Sequence, residues 1–509
     1  MVLKELELLS DFRGLPSGYK IIFNNPVSTL EGRGASKKIE PICLVGLNGS
    51  GKSNILEVLA EIFFYLESYT KADRFQRKGL QRFKTPFGFY ISYEMPRDGL
   101  LNHLEDWPEL YNGLQSMKLN SGVLISITKN KDEFPVFKAS FDNTELVLDN
   151  KNGNRELGVL PVRVIGYSSG MNELLSNPFI KMDFQYLSDL NAKRGEVHDS
   201  RLDMNRMFFM NYDSNKYIAV SNFMFDADDF ERSDFGRGNQ ATDFGGINLK
   251  PLKNETGITD ISYFSIRLQL EKFTGDSSDY LPSELNIALE KLERCATFYS
   301  VKAEKAGKNK SRKVIEYDYW VNSATKQAFR DQFRTAYDLF RAFYFLELLN
   351  NQLVGINTRE LVSKARAGDI ENLSEELPRF EKGKLIFRLH NIKLKKRNSR
   401  SIEYRKLTDG EHQLLQVIGS LLLMDADGSL FLFDEPDTHF NPDWRSKLVQ
   451  LINTSISQGR SQELLLTTHS PFIISDCKPQ NVFIFERNSN GKVKKPRNPD
   501  LTLMVQLYR

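Results

Sequence analysis

The residues at 46–53 (GLNGSGKS) are of the types needed to hold a triphosphate. They match G-x-x-x-x-G-K-[ST] in full, between a continuous apolar run and a helical pattern. Glycines let backbone N–H groups turn towards phosphate oxygens at the positive end of the following helix. We therefore expect Lys52 on the β- and γ-phosphates of ATP and the Ser53 hydroxyl on Mg²⁺. The predicted nucleotide-binding residues here are Gly46, Asn48, Gly49, Ser50, Gly51, Lys52, Ser53 and Asn54.

Two adjacent carboxylates, Asp434 and Glu435, follow the apolar run 430–433 (LFLF). A buried strand over this run would present both acids at its carboxyl end. Asp434 would hold Mg²⁺ through a water, and Glu435 would orient the attacking water or accept its proton. The alternative is a surface turn with solvated acids, and the P-loop upstream makes that alternative weaker.

A third polar turn, 467–470 (TTHS), ends the apolar run 464–466. One helix and one strand separate it from the acidic pair, so a β-α-β crossover would return His469 to the same edge of a parallel sheet. A neutral imidazole there would hydrogen-bond the γ-phosphate and sense its loss. The alternative is a histidine with a purely structural role.

A fourth segment, 407–413 (LTDGEHQ), opens the apolar helical pattern at 414–424. Thr408 is a good N-cap and Glu411 occupies the capping-box position, which is a sufficient structural reason for both residues. The functional interpretation is that this helix N-terminus binds the γ-phosphate of an ATP held by a second copy of the chain.

Four segments and their order along the chain resemble the ABC ATPases of the RecF, SMC and OLD type; the segments are GLNGSGKSN, LTDGEHQ, DEP and TTHSP. The resemblance is firm over 41–70 and 405–475 and only architectural elsewhere. It implies a homodimer, or a higher homo-oligomer, with Thr408 and Gly410 facing the partner's nucleotide and 437–442 forming the D-loop. Asp409 stands where transporters have glycine and adds a negative charge near a phosphate. Gln185 is our interpretation for the Q-loop glutamine.

Three further segments resemble bacterial defence ATPases associated with restriction systems: DFRGLP, PVRVIGYSSGMNE and DEPDTHFNP. These ATPases include the PtuA component of Septu-type systems, some of them linked to retrons. The resemblance implies an HNH nuclease partner of PtuB type, encoded by another gene, and in some systems a reverse transcriptase with its RNA–DNA product. For 167–173 an ordinary strand-to-helix turn is the alternative. For the whole chain the alternatives are a RecF- or SMC-like DNA repair ATPase and an ATP-binding scaffold with little turnover.

The chain as a whole has 509 residues, too many for one core and suited to two or three packed units. We expect an α/β fold, an ABC-type P-loop ATPase head with a strand-rich arm and a mainly helical insertion. The expected units are 1–185, which holds the P-loop and the arm, 186–385, the insertion and partner-contact region, and 386–509, which holds the signature, DEP and His469.

The composition excludes several classes of protein. With 40% hydrophobic and 27% charged residues, and a net charge of +3, the chain indicates a globular protein without a dominant polyanion-binding surface. Three cysteines far apart in sequence suit a reducing compartment. No signal peptide or apolar run of about 20 residues is present, so we expect a cytoplasmic protein with no membrane partner.

We expect no nuclease domain within the chain. Only residues 470–509 follow His469, which is short for a domain, and the six histidines of the sequence form no HNH-like cluster. Basic runs lie between Lys302 and Lys313, between Lys393 and Lys406, and between Lys492 and Arg497. A solvated face is the usual meaning of such a run. The second run is the best candidate for nucleic acid, because Tyr404 lies within it and it adjoins the signature helix.

Overall fold

The computed structural model carries the fold on three sheets joined by helices, with strands and helices numbered below in chain order. The described residues are 1–23, 40–70, 87–97, 100, 108–117, 122–142, 144–148, 158–170, 173–192, 206–231, 246–273, 281, 283–307, 310–364, 373–397, 399–456, 461–489 and 493–499. The Asp98-Gly99 pair and the 151–154 segment (KNGN), both typical of turns, lie outside them.

The first sheet is antiparallel, in the order β2-β1-β4-β5-β6-β7, and is the strand-rich arm expected from the sequence. Its strands are β1 (Val2–Leu8), β2 (Lys20–Ile22), β4 (Phe89–Pro96), β5 (Gly122–Lys129), β6 (Val136–Phe141) and β7 (Thr144–Leu148). The backbone N–H of Leu3 donates to the carboxylate of Glu463, which ties β1 to the second sheet.

The second sheet is parallel, in the order β17-β3-β16-β15-β8-β9, and it positions the site. Its strands are β3 (Ile42–Gly46), β8 (Arg163–Ser168), β9 (Met207–Phe209), β15 (Ser429–Asp434), β16 (Glu463–Thr468) and β17 (Val482–Phe485). In β15, Leu430 and Leu432 pack into one core and Phe431 and Phe433 into the other. Apolar residues on both faces are typical of a central parallel strand covered on both sides.

The third sheet is antiparallel, in the order β11-β12-β10-β13-β14. Its strands are β10 (Ile258–Phe273), β11 (Phe298–Gly307), β12 (Lys310–Trp320), β13 (Phe387–Lys396) and β14 (Ser399–Glu403). In the sequence of 384–405 two short strand-like runs flank a basic turn, and β13 and β14 form a hairpin there. Because β10 pairs with β13 and β9 pairs with β8, the segment 186–385 shares sheets with the segments on either side of it.

Helices cover both faces of the parallel sheet. They are α1 (Lys52–Thr70), α2 (Pro108–Ser116), α3 (Asn177–Ala192), α4 (Tyr212–Met224), α5 (Ala227–Glu231), α6 (Lys250–Thr256), α7 (Ser283–Cys295), α8 (Ser323–Gln332), α9 (Ala336–Leu348), α10 (Ile356–Lys364), α11 (Leu373–Glu376), α12 (Asp409–Leu423), α13 (Pro442–Ser455) and α14 (Pro471–Asp476). Within the described part of the chain, no helix is long and apolar enough to cross a bilayer.

The helix α1 lies between the arm and the parallel sheet, so its apolar residues are buried on every side. The helix also has three buried glutamates, and each pairs with a basic side chain; the pairs are Glu57–Arg13, Glu61–Lys181 and Glu67–Arg206. On the opposite face, α12 and α13 share a core with α4, α9 and the third sheet. The P-loop helix and the signature helix therefore lie on opposite faces of the parallel sheet.

Two cysteines that lie far apart in sequence are neighbours in this fold. The thiol of Cys43 on β3 and that of Cys477, just after α14, have sulfur atoms 2.9 Å apart and are both buried. The hydrogen bond with Cys477, together with burial, raises the pKa of the Cys43 thiol well above its usual range. The sequence spacing gave no sign of this contact, because only the packing of α14 against the sheet creates it.

Candidate nucleotide-binding site

The P-loop at 46–53 turns from β3 into α1 through backbone conformations that require glycine. Gly51 has φ +102°, which L side chains rarely adopt. A Cβ on Gly46 would lie 2.4 Å from the carbonyl oxygen of Phe485 on β17. Because β17 approaches β3 so closely, only glycine fits at the start of the loop.

Lys52 lies at the centre of the loop, at the first residue of α1. Its Nζ donates to the carbonyl of Gly46 at 2.8 Å and to that of Leu47 at 3.2 Å. Nζ also lies 3.2 Å from Nε2 of His469. Burial lowers the pKa of Lys52, and the carboxylates of Glu435 and Asp434 oppose that shift. The ammonium group thus has two loop carbonyls as acceptors at the position where the motif predicts phosphate oxygens.

Ser53 and Asp434 meet at the carboxyl edge of the sheet. The Ser53 hydroxyl donates to Oδ1 of Asp434 at 2.9 Å, and the Thr467 hydroxyl donates to the same oxygen at 2.6 Å. Burial raises the pKa of Asp434, which these two hydrogen bonds counteract. A hydroxyl and a carboxylate oxygen are hard donors of the kind that Mg²⁺ prefers, so this pair fits the predicted metal.

Glu435 and His469 complete the group of side chains at this edge. Oε1 of Glu435 lies 3.2 Å from Nε2 of His469, and both residues are partly exposed. Glu435 has φ +49°, a left-handed conformation that costs a non-glycine residue roughly 1–2 kcal/mol. The structure therefore places Lys52, His469 and Glu435 in one continuous row beside the Ser53–Asp434 pair.

The remaining P-loop residues have different surroundings. Asn48 is exposed, whereas Ser50 is buried and its hydroxyl has no hydrogen-bond partner among the described residues. The side-chain amide of Asn54 donates to the carbonyl of Arg13 at 2.7 Å. Asn54 therefore holds the N-terminal turn beside the P-loop.

That turn is held a second time by an ion pair, in which Nε of Arg13 lies 3.1 Å from Oε1 of Glu57 on α1. Burial raises the pKa of Glu57 to about 7 although Arg13 opposes this shift. The DFRGLP segment thus packs against the first turns of the P-loop helix.

The signature turn opens α12 with the capping box expected from the sequence. The Thr408 hydroxyl accepts from the N–H of Glu411 at 3.3 Å, and the Glu411 carboxylate accepts from the N–H of Thr408 at 3.0 Å. Thr408 is exposed at the helix N-terminus. A Cβ on Gly410 would lie 2.8 Å from the carbonyl oxygen of His439 and 3.2 Å from the ring of Trp444. The chain's own loop is therefore a sufficient reason for glycine at this position.

The first turn of α12 is also connected to the loop that follows the acidic pair. Nε2 of Gln413 donates to the hydroxyl of Tyr167 on β8 at 3.0 Å, and its Oε1 accepts from the N–H of His439 at 2.8 Å. Asp437, at the start of the 437–442 segment, is buried and accepts from the Thr468 hydroxyl at 3.0 Å. The signature turn and this segment are thus held as one unit.

The interpretation of Gln185 as a nucleotide-facing glutamine is wrong. Its Oε1 accepts from the hydroxyl of Ser68 near the carboxyl end of α1. Sixteen residues of helix separate Ser68 from Lys52, which is about 24 Å along the axis. Gln185 is on α3, a helix that packs alongside α1, and so it lies far from the P-loop.

Three residues of the site were not identified from the sequence. Thr467 bonds both the Asp434 carboxylate and the N–H of Glu435, at 2.6 and 2.9 Å. Nε of Arg487, after β17, donates to the carbonyl of Gly49 at 2.5 Å. The Ser169 hydroxyl, after β8, lies 2.8 Å from that of Thr438. Only the register of β16 against β15 could have predicted Thr467, because it places Thr467 opposite Asp434.

Part of this chain is similar to a known protein family. Residues 298–475 match the family model described as "AAA domain, putative AbiEii toxin, Type IV TA system". The matched part holds the signature turn, the acidic pair and His469, and the P-loop lies outside it. This part of the chain is similar to an AAA-type ATPase domain. No curated protein matches the chain.

Several solved SMC heads are distantly similar over the whole chain. A head bound to the C-winged helix domain of ScpA has 13% identity and a TM-score of 0.35, covering 99% of this chain and 100% of its own. The head with an extended coiled coil from Pyrococcus furiosus has 15% identity and a TM-score of 0.33, covering 100% and 98%. The head from Thermotoga maritima has 10% identity and a TM-score of 0.33, covering 98% and 100%.

Proposed function

We propose that this chain binds and hydrolyses ATP with Mg²⁺ as an ABC-type ATPase, in a dimer that encloses two nucleotides. The observation that carries the proposal is the row of Lys52, His469 and Glu435 beside the Ser53–Asp434 pair. Elements distant in sequence supply these groups, and a structural role alone would not require a lysine, a histidine and two acids to converge.

The proposed chemistry assigns one task to each group. Lys52 would exchange its loop carbonyls for phosphate oxygens, and His469 would hydrogen-bond the γ-phosphate. Glu435 would take the proton of the attacking water as the bond between the β–γ bridging oxygen and the γ-phosphorus breaks, giving ADP and phosphate. Mg²⁺, held by Ser53 and Asp434, would supply charge neutralisation on the phosphates.

The substitution Glu435→Gln tests hydrolysis directly. It keeps the shape of the side chain and removes the proton acceptor, so we expect turnover to fall about 10²–10⁴-fold while Mg-ATP still binds. Phosphate release measures the first effect, calorimetry the second, and sedimentation would reveal ATP-dependent dimers. Glu381→Gln, on an exposed acid paired with Lys384, is the control. Equal turnover in wild type and Glu435→Gln would favour the alternative of an ATP-binding scaffold.

The finer proposal is that this ATPase is the sensor or regulator subunit of an antiphage defence system and controls an HNH-type nuclease supplied in trans. The defence-type segments of the sequence support it, and so does the description of the matched family as a toxin of a TA system.

The trans assignment is tested by assaying the purified chain for DNA and RNA cleavage, alone and with a neighbouring HNH gene product. We expect no cleavage by the chain alone, and cleavage by the pair that differs between wild type and Glu435→Gln. A homogeneous preparation of this chain that cleaves nucleic acid by itself would contradict the proposal.

A second candidate, a RecF- or SMC-like DNA repair ATPase, is favoured by the β13–β14 hairpin and the 3-10 turn after it. Within 393–406 Lys396 and Arg405 pair with Glu411 and Glu403. That stretch has one acid, Glu403, and seven basic residues: Lys393, Lys395, Lys396, Arg397, Arg400, Arg405 and Lys406. Nζ of Lys393 lies 5.4 Å from the ring centroid of Tyr263, which packs against the half-exposed ring of Trp320. Exposed cations beside aromatic rings suit a nucleic-acid backbone with stacked bases.

The other two basic runs support this candidate less. Lys494 and Arg497 both pair with Glu486, which suits a local structural role. Lys302 is exposed on the edge strand β11, and the run from Lys302 to Lys313 lies partly outside the described residues.

Filter binding of single- and double-stranded DNA, with and without ATP, tests the second candidate. Tight binding that weakens with salt, and that falls about tenfold or more in the double variant Lys393→Glu/Lys395→Glu, would favour it. The matched control is Lys382→Glu/Lys384→Glu, which changes two exposed lysines elsewhere on the chain. Equal loss in both variants would indicate nonspecific attraction.

A further inference from the structure

The backbone turn at Glu435 has to be stabilised by neighbouring groups. Its φ of +49° is a conformation that glutamate seldom adopts. Such a residue keeps this conformation only when surrounding contacts fix it, and fixed outliers of this kind cluster at functional sites. Neighbouring groups must therefore hold the backbone of Glu435 in place.

Thr438 holds the carbonyl of Glu435, to which its N–H donates at 3.4 Å and its hydroxyl at 3.0 Å. The N–H of Glu435 is held by Thr467, at the end of the neighbouring strand β16. Its Oγ1 accepts from the backbone N–H of Glu435 at 2.9 Å and donates to Oδ1 of Asp434 at 2.6 Å. The side chain is fully buried, and the parallel register places Thr467 directly opposite Asp434. One hydroxyl proton and one lone pair thus serve two adjacent residues of the site at once.

We propose that Thr467 is a positioning residue for ATP hydrolysis, whose hydroxyl fixes the left-handed turn that aims Glu435 at His469. This inference rests on the proposed function. Valine has almost the same shape as threonine, yet it would leave the N–H of Glu435 without this acceptor and the Asp434 carboxylate without this donor. Serine keeps the hydroxyl and loses only a methyl group.

The experiment compares Thr467→Val and Thr467→Ser in steady-state ATPase assays of the full chain with Mg-ATP. We expect Thr467→Val to lower kcat about 10–100-fold, the range for removing a group that orients a catalytic ligand, with KM changed less than about threefold. Thr467→Ser should stay within about threefold of wild type. Thr467→Ala replaces the valine variant if the latter does not fold.

The matched control is Thr256→Val. Thr256 is also buried, and its hydroxyl also both donates, to the carbonyl of Leu252, and accepts, from the N–H of Ile258. It lies at the end of α6, outside the site. We expect this variant to keep the wild-type kcat even where its melting temperature falls, which separates loss of positioning from loss of stability.

A double variant separates positioning from a general structural effect. If Thr467 acts through Glu435, adding Thr467→Val to Glu435→Gln should lower the rate by less than about twofold more. Multiplying losses, or a wild-type kcat in Thr467→Val, would overturn the inference while leaving ATP hydrolysis intact. A wild-type chain that does not turn over Mg-ATP would instead overturn the proposed function itself.

Discussion

The carboxyl edge of the parallel sheet and the signature turn are both candidate nucleotide contacts, but they are built differently. At the sheet edge, side chains from separate strands and loops bond one another, as Ser53, Thr467 and Asp434 do. At the signature turn, Thr408 and Glu411 cap their own helix, Glu411 also pairs with Lys396 on β13, and Thr408 faces solvent. The first is assembled within one chain, whereas the second suits a surface that acts on another copy.

The largest effect is expected when two defective variants are mixed, which tests whether the two regions act within one chain or across a dimer. Lys52→Ala disables the sheet edge, and Thr408→Asp keeps a good N-cap but places a carboxylate against the partner's phosphate. We expect each variant alone to lose roughly 100-fold or more in turnover. An equal mixture should regain about one quarter of the wild-type rate, because half of the dimers then carry one intact composite site.

The phosphate-release rate of the mixture is the measurement, with wild type mixed with Lys52→Ala as the reference for subunit exchange. A mixture no more active than the two variants measured separately would mean that the signature turn does not act across a dimer.

Gly410 tests the signature turn in a second way. The resemblance assigns this glycine to a partner's nucleotide, whereas the structure explains it by the close approach of His439 in the same chain. In Gly410→Ala the new Cβ would meet the carbonyl of His439, so we expect a loss of about 1–3 kcal/mol in the free energy of unfolding. Urea denaturation measures it. Asp409→Ala, on the exposed neighbour, should stay within about 0.5 kcal/mol of wild type.

The opposite pattern for Gly410→Ala would be informative. Unchanged stability together with lost turnover would mean that close approach of a second copy, and not of His439, requires the glycine.

Much of the fold and of the candidate site was predictable from the sequence, and the parts that were not have physical causes. The P-loop and the acidic pair are contiguous motifs whose flanking apolar runs fix their place at a sheet edge. Thr467 and Gln413 act through contacts between elements, which only register and packing reveal. The strand β10 was missed although Phe264, Ile266 and Leu268 alternate, because irregular register near Asp260 and Tyr263 interrupts the pattern at its start.

A pH dependence of stability, with no effect on turnover, is expected from a buried acid away from the site. Burial raises the pKa of Asp183, on α3, to about 8, against its hydrogen bonds from the Tyr344 hydroxyl. Between about pH 4 and pH 8 the folded chain therefore keeps a proton that the unfolded chain has released. Since the folded state binds more protons in this window, stability falls as pH rises, by on the order of 1 kcal/mol per pH unit at most.

Asp183→Asn keeps an uncharged acceptor for Tyr344 and cannot ionise. We expect its free energy of unfolding, from urea curves between pH 5 and pH 8 (roughly the window set by the two pKa values), to fall less steeply with pH than that of wild type. Glu347, whose pKa burial also raises to about 8, should leave part of this fall in stability in the variant. Turnover should be unaffected, because Asp183 lies on the α3–α9 contact and Asp434 on the sheet edge. Parallel stability curves for the two proteins would mean that Asp183 is ionised in the folded chain.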